Sequence, residues 1–133
     1  MSGRQGNGAG NGRRSLKLLI VDDSNIMRRR IERSQQFEEL QVVGTAGNGV
    51  EALEMFRKTD PDVVTMDLTM PQMDGIECIS KIVQLKPAVR ILVISALADK
   101  ATAVEAMERG ANGFLNKPFT DRQLNEAIAD LMT

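Results

Sequence analysis

Histidine is absent from all 133 residues. That excludes general base catalysis by imidazole, His-ligated metal sites and any phosphohistidine formed on the chain itself. Cysteine occurs once, as Cys78, so no intramolecular disulfide framework exists and a reducing, cytoplasmic setting is expected. Within an apolar helical pattern, Cys78 reads as a small core residue rather than a reactive thiol. Long hydrophobic runs are missing too: apolar stretches stop at about five residues, far short of the roughly 20 that span a bilayer. No apolar stretch near the N-terminus resembles a signal peptide. Net charge is only −1, so nothing global argues for nucleic acid or an anionic membrane surface as a partner.

What is present fits one soluble globular domain with an ordinary apolar and charged content. Residues 1–14 are rich in Gly, Asn and Arg, with Arg4, Arg13 and Arg14 making them basic. Such a stretch buries too little surface to order itself and is expected to be a mobile tail. A linker remnant is favoured over a binding arm. From Ser15 to Thr133, strand and helix patterns alternate five times. Strands are expected over 16–21, 40–46, 62–67, 90–95 and 111–116 as short continuous apolar runs, the mark of strands covered on both faces. Helices are expected over 24–37, 49–58, 75–85, 99–109 and 121–132. Leu124, Ala127, Ile128 and Leu131 recur at helical spacing, as do Ile76, Ile79 and Val83. Val104, Met107 and Ala111 suggest a buried face on the fourth helix, with Gly110 as its stop. Ser24, Asn48 and Thr120 stand where N-caps belong. Five such units imply an α/β fold with a doubly wound parallel sheet and helices on both faces.

Four of the apolar runs end in polar residues: Asp22-Asp23, Asp67, Ser95 and Lys117-Pro118. Ligands of an open parallel sheet bind beyond the carboxyl ends of its strands, so these groups are expected on one edge. Two carboxylates about 4 Å apart repel by about 4 kcal/mol at an effective dielectric near 20. Asp22, Asp23 and Asp67 therefore call for a cation, and oxygen-only ligands point to Mg²⁺, with Mn²⁺ the alternative. Lys117 offers a compact ammonium for a phosphoryl oxygen or for Asp67. The Ser95 hydroxyl suits another phosphoryl oxygen, and a cis Lys117-Pro118 bond would sharpen the turn that delivers Lys117. Positioning plus charge neutralisation is most of what phosphoryl transfer requires. Asp67, exposed by the loop that follows it, is the best nucleophile.

Val21-Asp22-Asp23-Ser24, Met66-Asp67-Leu68-Thr69-Met70-Pro71-Gln72-Met73-Asp74-Gly75, Ser95-Ala96 and Lys117-Pro118-Phe119 occur here in one order and spacing. On these residues the chain from about Leu16 to Thr133 resembles the receiver domain of two-component response regulators, particularly the single-domain chemotaxis type. That family has a flavodoxin-like five-stranded sheet of order 2-1-3-4-5. The resemblance implies that Asp67 accepts a phosphoryl group from a phosphohistidine on a sensor histidine kinase and later loses it by self-catalysed hydrolysis. It implies that Asp22, Asp23, Asp67 and the Thr69 backbone carbonyl hold Mg²⁺, and that Ser95 and Lys117 contact the phosphoryl group. Ser95 and Phe114 would form the switch, although Phe114 lacks the hydroxyl of the Tyr often found there. Thr69 and Leu97 fall where the family tunes phosphoryl lifetime. Apolar Leu97 cannot orient an attacking water, so slow to moderate autodephosphorylation is expected.

Two other chemistries compete. Gly47-Asn48-Gly49-Val50-Glu51-Ala52 formally fits a dinucleotide fingerprint, but a nucleotide or flavin module explains none of Asp22, Asp23, Ser95 and Lys117. An Asp-nucleophile phosphohydrolase usually has a second Asp two residues beyond the nucleophile, where Thr69 stands. Within the receiver reading, no DNA-binding or catalytic domain is expected after Thr133, and output is expected through the face of the fourth helix, fifth strand and fifth helix. A flagellar motor switch protein is the leading partner of an expected monomer. A phosphorelay intermediate, or a receiver cut from a longer regulator such as a chemotaxis methylesterase, is the alternative. Arg28-Arg29-Arg30 reads as a solvated helix face in preference to a dock for an acidic kinase domain.

Overall fold

The computed structural model describes residues 15–70, 72–96 and 99–133. The expected tail over 1–14 and the position Leu97 lie outside the described residues. Strands β1 (Leu16–Val21), β2 (Leu40–Ala46), β3 (Val63–Met66), β4 (Arg90–Ser95) and β5 (Gly113–Asn116) alternate with helices α1 (Asn25–Ser34), α2 (Gly49–Thr59), α3 (Gly75–Leu85), α4 (Lys100–Glu108) and α5 (Asp121–Met132). All strand pairings are parallel, in the order β2-β1-β3-β4-β5. The doubly wound sheet and its strand order are as expected.

Alternation along each strand divides the core in two. Leu19, Val21, Val64, Met66, Ile91 and Val93 pack with residues of α2, α3 and α4 such as Phe56, Ile79 and Ala106. Leu18, Ile20, Val63, Leu92 and Ile94 pack with Ile31 of α1 and Leu124, Ile128 and Leu131 of α5. Ser24, Asn48 and Thr120 cap α1, α2 and α5 through their side chains, and Asp74 and Asp99 do the same for α3 and α4. Burial pushes the Cys78 thiol up to about 12, consistent with an inert core residue.

Three expectations are corrected. Helix α1 ends at Ser34 rather than near 37, because side chains intercept the next amides: Asn125 accepts from Gln36 N–H and Gln35 accepts from Phe37 N–H. Strand β5 starts at Gly113, since Gly110 takes φ 118° and the chain is still turning there. The face assigned to α4 is also wrong. Val104 is 47% exposed and Met107 44% exposed, whereas Ala106 is fully buried. Ala111 is buried beyond the helix end, in the turn into β5. Helical spacing shows that residues share a stripe, but not that a neighbour covers it.

Thr65 sits mid-strand in β3, in register with Ile20 and Leu92. It is 1% exposed, and its hydroxyl finds no partner among the described residues. An unpaired buried hydroxyl costs about 1–3 kcal/mol. Thr65→Val, which keeps the shape and removes the hydroxyl, is expected to raise stability by about 1 kcal/mol or more. A lower midpoint in urea unfolding would contradict this.

Candidate functional site

Each group arrives at the carboxyl edge by its own strand. The Asp22 amide donates to Ala46 of β2, and the Asp67 amide donates to Val21 of β1, at 3.0 and 2.9 Å. These bonds carry the ladder one residue past β1 and β3, which fixes both carboxylates at the sheet end. Lys117 N–H donates to the Ser95 carbonyl at 2.9 Å, so β4 and β5 are joined where their polar endings begin. Lys117-Pro118 is cis.

Gly75 is demanded by close approach. A Cβ there would overlap the Asp67 carbonyl oxygen and come within 2.6 Å of Leu68 Cα. Its amide donates to the Leu68 carbonyl at 3.0 Å, so α3 begins hard against the loop that carries Asp67. Gly75→Ala must push that loop away, and overpacking of this kind costs about 1–3 kcal/mol. Denaturant unfolding should show this loss; an unchanged midpoint would mean the loop yields freely. Gly49 is likewise filled by Met73, whose Cβ would lie 2.5 Å from an added methyl. Within the apparent dinucleotide fingerprint, Gly49 thus serves close packing against Met73, the Gly47 amide donates to the Glu51 carboxylate and Asn48 caps α2.

The edge carries strong, uneven charge. Asp22 is 1% exposed and Asp67 5% exposed, so the loop after β3 covers Asp67 rather than leaving it exposed as expected, while Asp23 faces solvent. One carboxylate oxygen from each of the three lies within 4.8 Å of the others. Asp22 uses both oxygens within the protein: Oδ1 accepts from Ser24 N–H at 2.8 Å and Oδ2 from Lys117 Nζ at 2.7 Å. Lys117 lies farther from Asp67, at 3.8 Å from Oδ2. Of the carboxylates around Lys117, Asp22 rather than the expected Asp67 is the nearest. Asp67 Oδ1 accepts from Thr69 N–H at 3.3 Å.

The Asp67 carboxyl is pushed from 3.8 up to about 6, chiefly by burial. Lys117 opposes the rise, Asp22 adds to it, the Thr69 amide opposes it and Asp23 adds again. A carboxylate so placed holds a proton or a cation more readily than an exposed one. Oxygen donors at this spacing, with no nitrogen or sulfur among them, fit a hard divalent cation. Ser95 is fully buried at the end of β4. Phe114, paired in register with Val93, is half-buried against the α2–α4 side of the core. The sequence-predicted residues Asp22, Asp23, Asp67, Thr69, Ser95 and Lys117 thus belong to one sheet edge, and Phe114 lies two residues short of the end of β5.

Sequence reasoning missed two contributors on α1. Arg28 donates to the Asp22 carbonyl and Arg30 to the Phe119 carbonyl. Only Arg29 of the triplet is exposed, with Arg28 and Arg30 partly buried, which corrects the solvated-face reading. The missed signal was position: Arg28 comes six residues after Asp22, about one turn into the helix that Asp22 introduces.

Residues 18–129 match the response regulator receiver domain. The chain belongs to that family. A chemotaxis protein CheY of Listeria monocytogenes is 39% identical over 113 residues, spanning 85% of this chain and 95% of that one. A protein-glutamate methylesterase/protein-glutamine glutaminase of Pseudoalteromonas atlantica is 47% identical over 125 residues, covering 90% of this chain but 32% of its own length. Among solved structures, the CheX-CheY-BeF3-Mg²⁺ complex of Borrelia burgdorferi superposes with a TM-score of 0.84 at 30% identity, covering 89% of this chain and 90% of that one. The protein is therefore a two-component response regulator receiver, a signalling domain. Among the described residues, no helix is long and apolar enough to cross a membrane.

Proposed function

We propose that this receiver, occupying about residues 15–133, accepts a phosphoryl group on Asp67 from a phosphohistidine of a chemotaxis-type sensor kinase. The observation that carries this reading is the placement of Asp67: buried at the end of the central strand, raised to about 6, with Lys117, Asp22 and Asp23 around it. Asp22, Asp23, Asp67 and the Thr69 carbonyl would hold Mg²⁺ (or Mn²⁺), and the CheX-CheY complex of Borrelia burgdorferi contains Mg²⁺. Bound there, the cation would offset the carboxylate repulsion and supply positive charge to the transferring group. An Asp67 oxygen forms the new O–P bond as the donor's N–P bond breaks, and the imidazole keeps the electron pair. Lys117 and the Ser95 hydroxyl steady the phosphoryl oxygens, the former by charge and the latter by donation. Loss of the group to water is then self-catalysed by the same residues.

Contact of Ser95 with the phosphoryl group, together with inward rotation of Phe114, would carry the change to the face of α4, β5 and α5. Exposed Val104 and Met107 on α4 support that face as the output surface, since apolar side chains at 47% and 44% exposure offer area to a partner. A flagellar motor switch protein is the proposed target of a cytoplasmic monomer. Ile26, 81% exposed in the first turn of α1 and three residues after Asp23 in sequence, offers the kinase an apolar foothold.

The test is incubation with acetyl phosphate and MgCl₂ followed by intact mass. The wild type should gain one phosphoryl group and Asp67→Asn none; equal labelling of the two would defeat the proposal. Omitting Mg²⁺ should abolish the gain.

A further inference from the structure

The cation that meets Asp22 is delivered by a loop, and that loop is tied to a helix on the other side of the site. Lys117 and Phe119 flank the cis Pro118 between β5 and α5. The Phe119 ring is 4% exposed and packs in the core between the sheet and α1 and α5. Arg30 of α1 lies over that ring, its guanidinium carbon 4.3 Å from the centroid. The same guanidinium donates to the Phe119 carbonyl and pairs with Asp121 Oδ1 at 3.4 Å. Asp121 is largely exposed, so that ion pair contributes least. The stack and the bond to a carbonyl on a buried residue contribute more, because water competes less there.

We propose that Arg30 is a positioning residue for Lys117, fixing the loop that sets the ammonium between Asp22 and Asp67. Lys117 Nζ is 2.7 Å from Asp22 and 3.8 Å from Asp67, a placement that a small loop displacement would lose. Helix α1 also holds the other side of this pair, since Arg28 donates to the Asp22 carbonyl. Donor and acceptor loops are thereby registered to one rigid element. A planar guanidinium is required because it must stack by its face while donating from its edge, which a lysine ammonium cannot do.

This inference rests on the phosphoacceptor reading, and its test separates the two. Arg30→Met keeps aliphatic cover over Phe119 and removes the fork; Arg30→Lys keeps charge alone. Each is made with Lys117 intact and with Lys117→Met. Two quantities are followed: phosphoryl uptake from acetyl phosphate at saturating MgCl₂, and acetylation of Lys117 by an N-hydroxysuccinimide ester, with exposed Lys81 as internal control. Arg30→Met should slow uptake roughly tenfold, as misplacement of a catalytic group does, and should speed Lys117 acetylation several-fold with Lys81 unchanged. Arg30→Lys should fall between. In the Lys117→Met background, neither Arg30 substitution should alter the residual uptake. Equal slowing in both backgrounds, or an unchanged Lys117 acetylation rate, would overturn the proposal and leave Arg30 a packing residue. Should the wild type take up no phosphoryl group, the phosphoacceptor reading fails, and Lys117 acetylation alone decides the role of Arg30.

Discussion

Lys117→Met is expected to cost about 3 kcal/mol of stability in metal-free protein and to slow phosphoryl uptake on the order of 100-fold. The stability loss arises at Asp22 rather than at Asp67. Asp22 is 1% exposed and gives up a 2.7 Å charge-assisted bond, whereas the bond-free approach to Asp67 is 3.8 Å. Breaking a buried pair leaves an uncompensated charge and costs about 3–5 kcal/mol; the lower end applies because the Lys117 side chain is 17% exposed. Methionine roughly preserves the aliphatic stem, so the loss is electrostatic in origin. A divalent cation should restore much of the stability, since it replaces the missing positive charge, but not the uptake rate. Urea unfolding with EDTA and with MgCl₂ measures the first effect and intact mass the second. Recovery of both by Mg²⁺ would assign Lys117 to charge balance alone.

Asp67→Asn should have the opposite effect on stability, with a definite pH dependence. The Asp67 carboxyl titrates near 6 in the folded protein against 3.8 ordinarily. Folding therefore favours the protonated form. That contribution is fully present below about 3.8 and is lost as pH rises through about 6. Metal-free wild type should lose up to about 3 kcal/mol relative to Asp67→Asn between pH 4 and pH 7.5, at about 1.4 kcal/mol per unit. Mg²⁺ reverses the trend by taking the place of the proton, so its stabilisation of the wild type should be larger at pH 7.5 than at pH 5. Parallel unfolding profiles for wild type and Asp67→Asn across this range would show that Asp67 ionises freely in the fold.

Much of the site could be read in advance because its residues lie where local patterns end. Asp22, Asp67, Ser95 and Lys117 each follow a short apolar run, and parallel strands with helical crossovers bring all such ends to one edge. N-caps at Ser24, Asn48 and Thr120 were legible for the same reason, since a cap satisfies amides only two or three residues away. Asp74 and Asp99 escaped notice as caps, although they obey the same rule, each accepting from the amide three residues on.

Partner choice was not legible. Lys117 is 95 residues from Asp22 and 50 from Asp67 in sequence, and only the placement of the β5–α5 loop selects Asp22 as the nearer anion. Arg28 and Arg30 look like members of a charge run, yet one reaches the Asp22 carbonyl and the other the Phe119 ring. The stripe of α4 misled for a related reason. Periodicity reports the geometry of one helix, while burial requires a second surface, and α4 meets little of the body beyond Ala106.

By itself, then, the sequence determined the alternation of strands and helices, the two-sided core and the set of polar groups that end the strands, because each depends on spacing within a few residues. Tertiary structure alone decided which anion Lys117 meets first, which arginines turn inward and which apolar residues of α4 stay exposed. Those outcomes depend on contacts between segments far apart in the chain, where geometry is fixed by packing rather than by local repeat.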